Sequence, residues 1–320
     1  MLSEQHLVPT PDGWRLSLRR TLRPDGPLPG PAVLVVPGYG MNSILFGYHP
    51  RGRSFLQALS DAGFDAWTVD FRGQGETRRD PAARASRRAW GLREYAFVDL
   101  PAAVEHVCAT TARERLTAVG CSLGGSIVLA FAARFGTARL ERYVGIGAPL
   151  LVEQPGMLAR AAGLAGPALA VVPVLGVRTL AAHALPIAAR YGRKPLSIYL
   201  NADLVDLSRP DLLARIVENP SRRVNAEIAR WIRTGRFVVD GIDVAEGLCG
   251  LVLPTLLVVA LGDGIVNPAS ARSVRRFLGE EQVDEITVGG PRMHIAHADL
   301  FISDVSDEAV FRPVVAWLRR

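Results

Sequence analysis

Gly120-Cys121-Ser122-Leu123-Gly124-Gly125 is the stretch whose reading decides the fold. An apolar run, Leu116-Thr117-Ala118-Val119, precedes it, and a helix-like run from Ser126 to Ala133 follows. Strand, sharp turn and helix form the context in which G-x-S-x-G reads as a nucleophile elbow. The flanking glycines remove side chains that would clash where strand and helix nearly touch. Ser122 is then expected in a strained backbone conformation with its hydroxyl held up and exposed. The Leu123 N–H would lie at the helix start, where developing negative charge is stabilised.

Outward from the elbow, strand and helix signals alternate. Trp14 to Leu22 alternates apolar and polar residues and reads as an edge strand. Ala32-Val33-Leu34-Val35-Val36 is a continuous apolar run, as expected of a strand buried on both faces of a parallel sheet. Arg53 to Ala62 has helical spacing, Asp65 to Phe71 reads as a second buried strand, and Leu92 to Thr111 as a long helix. Tyr143 to Gly147 is another strand. This alternation implies an α/β fold with a doubly wound, mostly parallel sheet.

The pattern breaks after Pro149 and resumes at Pro254-Thr255-Leu256-Leu257-Val258-Val259-Ala260. A helix from Pro268 to Leu278, a strand at Val283 to Val288 and a C-terminal helix complete the sheet. The expected organisation is a core of residues 1–149 and 249–320 with a helical cap, 150–248, inserted between two strands. The cap has no convincing strand and is rich in Ala and Leu, which suits a lid over an apolar substrate pocket.

Composition narrows the function classes. With 49% hydrophobic and 21% charged residues, the 320-residue chain is globular. The net charge of +6 comes almost wholly from arginines, which are scattered rather than interleaved with aromatics in a stripe. Nucleic acid is therefore not an expected partner. Cys108, Cys121 and Cys249 are too few and too dispersed for a disulfide framework or zinc site, and they fit a reducing, cytoplasmic setting. Cys121 reads as a small buried residue. The N-terminus lacks the basic and apolar regions of a signal peptide. The longest uncharged stretch, Ala161 to Val177, is short and broken by Gly and Pro, so no membrane span is expected.

A serine hydroxyl is a weak nucleophile near neutral pH. It needs a base within hydrogen-bond reach, and the base needs an orienting carboxylate. In this architecture they follow in the order Ser, Asp/Glu, His, on loops at the carboxyl ends of strands. Asp263 directly follows the strand ending at Ala260, although an aspartate between glycines is also an ordinary turn residue. The base lies in Met293-His294-Ile295-Ala296-His297-Ala298-Asp299. His297 is favoured and His294 is the alternative. Their H-x-x-H spacing could suggest a metal pair, but no third ligand has matching spacing, so no metal or other cofactor is expected. The second oxyanion donor is expected at the Tyr39 N–H, in Pro37-Gly38-Tyr39-Gly40, pairing with that of Leu123. Of the other histidines, His49 alone lies where it could line the pocket.

These blocks, with Asp70-Phe71-Arg72-Gly73-Gln74-Gly75 between them, resemble the α/β-hydrolase superfamily. Within it the chain looks like the branch containing acid lipases and polyhydroxyalkanoate synthases. Gly38-Tyr39-Gly40-Met41-Asn42-Ser43, Ala66-Trp67-Thr68-Val69-Asp70 and His297-Ala298-Asp299-Leu300 carry that likeness. The chain departs from many relatives in having Pro37-Gly38 where they have His-Gly. It also has Ser122 where the synthases carry cysteine, which favours hydrolysis over polymer synthesis. The resemblance implies a serine hydrolase acting on a small-molecule carboxylic ester with an apolar part. An acyltransferase with a non-water acceptor and a non-catalytic binding protein are the alternatives. Oligomeric state is not legible in the sequence.

Overall fold

The computed structural model describes residues 2–24, 26–80, 90–155 and 197–320. The expected insertion is thus described at residues 150–155 and from residue 197 onward, and Ala161 to Val177 lies outside the described residues.

The main sheet contains β1 (Leu2–Pro9), β2 (Trp14–Leu22), β3 (Ala32–Val36), β4 (Asp65–Asp70), β5 (Arg78–Arg79), β6 (Leu116–Cys121), β7 (Leu140–Ile146), β10 (Thr255–Ala260) and β11 (Val283–Val288). Its spatial order is β1-β2-β4-β3-β6-β7-β10-β11, with β5 pairing β2. From β4 to β11 every pairing is parallel. β1, β2 and β4 pair antiparallel. β2 is therefore not an edge strand, as its alternation suggested. β1 covers it along eight residue pairs, Leu2↔Leu22 to Pro9↔Arg15. Only Val8 of β1 is buried, so its ladder hydrogen bonds rather than an apolar pattern place it.

The period-2 alternation of the buried strands divides the core. Val33 and Val35 of β3 face one layer with Val119, Val144 and Val258. Leu34 and Val36 face the other with Ala118, Tyr143 and Val259. Helices α1 (Ile44–Gly47) and α2 (Phe55–Asp61) cover the first face. The second is covered by α3 (Leu92–Glu94), a π-helical turn (Tyr95–Asp99), α4 (Leu100–Thr111) and α5 (Leu123–Phe135). Each fully buried Val or Leu contributes about 1.5–3 kcal/mol relative to exposure.

The expected 92–111 helix is thus interrupted by the π turn. That turn carries Asp99, fully buried, onto Arg72, whose Nη2 donates to Asp99 Oδ1 at 2.6 Å and whose Nη1 donates to Asp12 Oδ2 at 2.5 Å. The pair anchors the loop that follows β4.

In the described part of the insertion, α6 (Pro210–Ala214) and α7 (Arg222–Thr234) are followed by a hairpin of β8 (Val238–Val239) and β9 (Ile242–Asp243). Two short strands therefore occur where none was legible. The next helix, α8 (Val244–Leu248), packs against α5, and Val244 and Leu248 join the core of the second sheet face. The expected Pro268–Leu278 helix is two pieces, α9 (Pro268–Arg272) and α10 (Arg275–Leu278). The C-terminal region forms α11 (Asp299–Ile302), a π-helical turn (Asp307–Phe311) and α12 (Arg312–Leu318) over the first face.

Candidate active site

Ser122 joins β6 to α5 at φ 51° and ψ −125°, a positive-φ conformation that only glycine adopts without strain. Crowding by glycine neighbours imposes it. A Cβ on Gly120 would lie 2.2 Å from Gly125 Cα, and one on Gly124 would lie 2.5 Å from the Val36 and Pro37 carbonyl oxygens. α5 thus starts against the strand ends. Its first N–H groups, Leu123 among them, are left without intrahelical partners.

Asp263 stands on the loop after β10 and is buried. Its Oδ1 accepts the Ile265 and Val266 N–H groups, each at 2.8 Å, and its Oδ2 faces His297 Nδ1 at 2.6 Å. A carboxylate at Nδ1 holds the proton there and leaves Nε2 as the free base. His297 is buried over Gly147, where a Cβ would come within 3.2 Å of the ring. The Ser122 N–H donates to the Ile146 carbonyl at 2.9 Å, so serine and imidazole sit on adjacent positions of the same sheet end. Ser122 Oγ itself makes no hydrogen bond to His297 here. Such bonds commonly tighten only with substrate bound.

His294 takes a different place. It is exposed, and its Nε2–H donates to the Ser197 carbonyl at 2.8 Å. His49 does not line the pocket either. Its Nδ1 accepts the Gly52 N–H at 2.6 Å, so Nε2–H donates to the Ser303 carbonyl at 2.9 Å. Burial pushes the Cys121 thiol well above its ordinary range, with the charge of Asp263 adding to it. The thiol beside Ser122 is therefore an inert wall.

The loop after β3 lies against the elbow. A Cβ on Gly38 would be 3.1 Å from Ser122 Cβ, which puts the Tyr39 peptide next to Ser122. Asp70 Oδ1 accepts the Ser43 N–H at 2.7 Å and holds the far end of this loop. Burial pushes the Asp70 carboxyl up to about 6; the Ser43 N–H and Arg19 oppose the shift and the Glu218 charge adds to it. The Asp-Phe-Arg-Gly-Gln-Gly block thus supports the loop after β3.

A cavity of about 340 Å³ opens between Tyr39, Gly40, Cys121 and His297. Met41, Leu45, Leu213, Ile216 and Phe301 make its walls mostly apolar. The insertion closes one side. The Ala298 N–H donates to the Tyr199 carbonyl at 2.8 Å, and Asp299 accepts the Asn201 N–H at 2.9 Å and the Ala296 N–H at 2.7 Å. Burial raises the Asp299 carboxyl, and those two N–H groups oppose the rise. Sequence reasoning quoted Asp70 and Asp299 within motifs without giving them a task. Asn42 was quoted in the same way, whereas Glu218 and Asn225 were passed over; the side-chain partners of all three include residues remote in sequence.

No group of three or more His, Cys, Asp or Glu side chains among the described residues could hold a metal ion. No helix among them is long and apolar enough to cross a membrane.

A strained serine between β-strand and helix, with an Asp–His pair at the same sheet end, defines a hydrolase of the α/β type. Residues 31–291 match the alpha/beta hydrolase fold family, and the chain belongs to it. The lysosomal acid lipase/cholesteryl ester hydrolase of Homo sapiens is 32% identical over 134 residues, covering 39% of this chain and 33% of that protein. Triacylglycerol lipase 2 of Arabidopsis thaliana is 30% identical over 131 residues, covering 38% and 31%. The aligned part spans about a third of the length of these curated relatives. Among solved structures, an esterase from Exiguobacterium antarcticum superposes with a TM-score of 0.65 at 16% identity, covering 99% of this chain and 100% of that one. A thermophilic esterase from Thermogutta terrifontis gives 0.61 at 17%, covering 100% and 98%. At those identities the likeness is one of fold.

Proposed function

We propose that the chain is a carboxylic ester hydrolase working through an acyl-enzyme on Ser122. The observation that carries this reading is the Asp263–His297 hydrogen bond beside a serine held at positive φ. His297 Nε2 takes the Ser122 proton as Oγ attacks the ester carbonyl, and Asp263 stabilises the imidazolium. The Tyr39 and Leu123 N–H groups hold the oxyanion. His297 then protonates the leaving alcohol, and water, activated by the same base, releases the acid.

The apolar cavity beside His297 supports an ester with an apolar acyl or alcohol part. The relatives named as lipases are consistent with it. Residues 150–248 act in this reading as a cap, and Tyr199 and Ile216 are walls it contributes. Three free cysteines fit a reducing compartment, and the cytoplasm is part of the proposal.

The test is a p-nitrophenyl ester chain-length series on wild type and Ser122→Ala. Hydrolysis that is lost in the variant is expected. A wild type inert towards every ester, with no transfer to alcohol acceptors, would overturn the reading.

A further inference from the structure

Among the described residues the oxyanion loop pairs with no strand of the main sheet beyond Val36, yet in the reading above its Tyr39 N–H must meet the Leu123 N–H at one point. The insertion supplies the missing pairing. Met41 and Val217 form an antiparallel bridge, the Glu218 N–H donates to the Gly40 carbonyl at 2.8 Å, and the Asn42 N–H donates to the Ile216 carbonyl at 3.0 Å. The Glu218 carboxylate completes the join. Its Oε1 accepts the Asn42 Nδ2–H at 2.6 Å and the Gly75 N–H at 2.9 Å. Asn42 and Glu218 are 1% and 8% exposed, so water does not substitute for these bonds. Tyr39 is held from a second side, its hydroxyl donating to Asn225 Oδ1 of α7 at 2.6 Å.

One carboxylate oxygen therefore ties three remote segments together: the oxyanion loop, the loop after β4, and the insertion. Glu218 also lines the cavity next to Tyr39 and Gly40. Hydrogen bonds to an ionised acceptor are shorter and stronger than neutral ones, which suits a strut that must not yield.

We infer that Glu218 is a positioning residue, which sets the oxyanion loop through Asn42 and Gly75 and makes transition-state stabilisation depend on the docked insertion. The inference rests on the ester-hydrolase reading above. It asks nothing of Glu218 as a proton donor or nucleophile. Displacing an oxyanion donor by about an ångström costs on the order of 10²-fold in rate.

The experiment compares wild type, Glu218→Ala, Glu218→Gln and Asn42→Ala on p-nitrophenyl butyrate, with inhibition by a phenylboronic acid as a second readout. The boronate adduct on Ser122 places an oxygen in the oxyanion hole, whereas ground-state binding of the ester does not need it. Glu218→Ala should lose about tenfold to a hundredfold in kcat with KM within about threefold, and boronate affinity should fall in parallel. Glu218→Gln should recover most of both, because an amide oxygen can accept the same two N–H groups. Asn42→Ala should show the same pattern, and its loss should not add to that of Glu218→Ala. If Glu218→Ala does not fold, Asn42→Ala is judged by the same criteria. A kcat within about threefold of wild type, or a loss of kcat with boronate affinity unchanged, would overturn the inference while leaving the hydrolase reading intact. A wild type that hydrolyses no ester and takes no boronate would overturn both.

Discussion

Replacing Asp263 by Asn tests the site with almost no change of shape. Asp263 Oδ1 accepts two backbone N–H groups, from Ile265 and Val266, at 2.8 Å each. In Asp263→Asn the amide oxygen must stay at that position, since an NH₂ group there would face two donors. The amide NH₂ is then forced into the Oδ2 position, 2.6 Å from His297 Nδ1. A donor at that point makes Nδ1 the acceptor and moves the imidazole proton to Nε2. The ring can no longer take a proton from Ser122. All the local hydrogen bonds survive, so the thermal midpoint should change by only a few degrees. Activity should not survive. A wrong-tautomer imidazole costs about 10⁴-fold in kcat in a serine triad, on the order of 5 kcal/mol of barrier. The assay is steady-state hydrolysis of p-nitrophenyl butyrate beside a thermal melt. An Asp263→Asn protein that keeps its midpoint and more than a tenth of the wild-type kcat would refute the assignment of Asp263 and His297.

Three other outcomes follow from particular contacts. His297→Ala should lose on the order of 10³-fold or more in kcat, while His294→Ala, which gives up only a surface bond to Ser197, should stay within about threefold; the reverse ranking would transfer the base to His294. Ser122→Gly should abolish hydrolysis yet raise the thermal midpoint by about 2 °C, because relief of about 1–3 kcal/mol of backbone strain exceeds the 0.5–1 kcal/mol of added chain entropy; a lower midpoint would mean that Ser122 is not strained. The raised Asp70 carboxyl favours its protonated form in the fold, so its contribution to stability is present below about pH 4 and is lost as pH rises through about 6. Asp70→Asn keeps an oxygen for the Ser43 N–H and removes that loss, so wild type should weaken relative to the variant by about 2–3 kcal/mol between pH 4 and 7 in denaturant titrations, and a constant difference would contradict the shift.

Much of this architecture is legible in the sequence, for a physical reason. β3, β4 and β10 are buried on both faces, and burial writes a run, apolar at most positions, whose ends can be read. The elbow is legible because the close approach of Gly120 to Gly124 and Gly125 is written within one short stretch. β1 is not legible, since seven of its eight residues remain at least partly exposed and only backbone pairing holds it. The π turn at Tyr95–Asp99 cannot be read either, because it exists to bring Asp99 to Arg72, and nothing local requires it. The same divide runs through the site. Chain order points to Asp263 and the histidine loop, whereas the choice between His297 and His294 depends on which way that loop turns. Glu218 leaves no local signal at all, its partners Gly75 and Asn42 lying 143 and 176 residues away.

The central claim is that ester cleavage proceeds through an acyl-enzyme on Ser122. Intact-mass and peptide-mapping analysis after a fluorophosphonate, and after acid quench of a p-nitrophenyl ester reaction, tests it most directly. The account predicts one adduct per chain, located on Ser122, with both adduct and turnover lost in Ser122→Ala. An adduct on another residue, or ester turnover at the wild-type rate in Ser122→Ala, would contradict it.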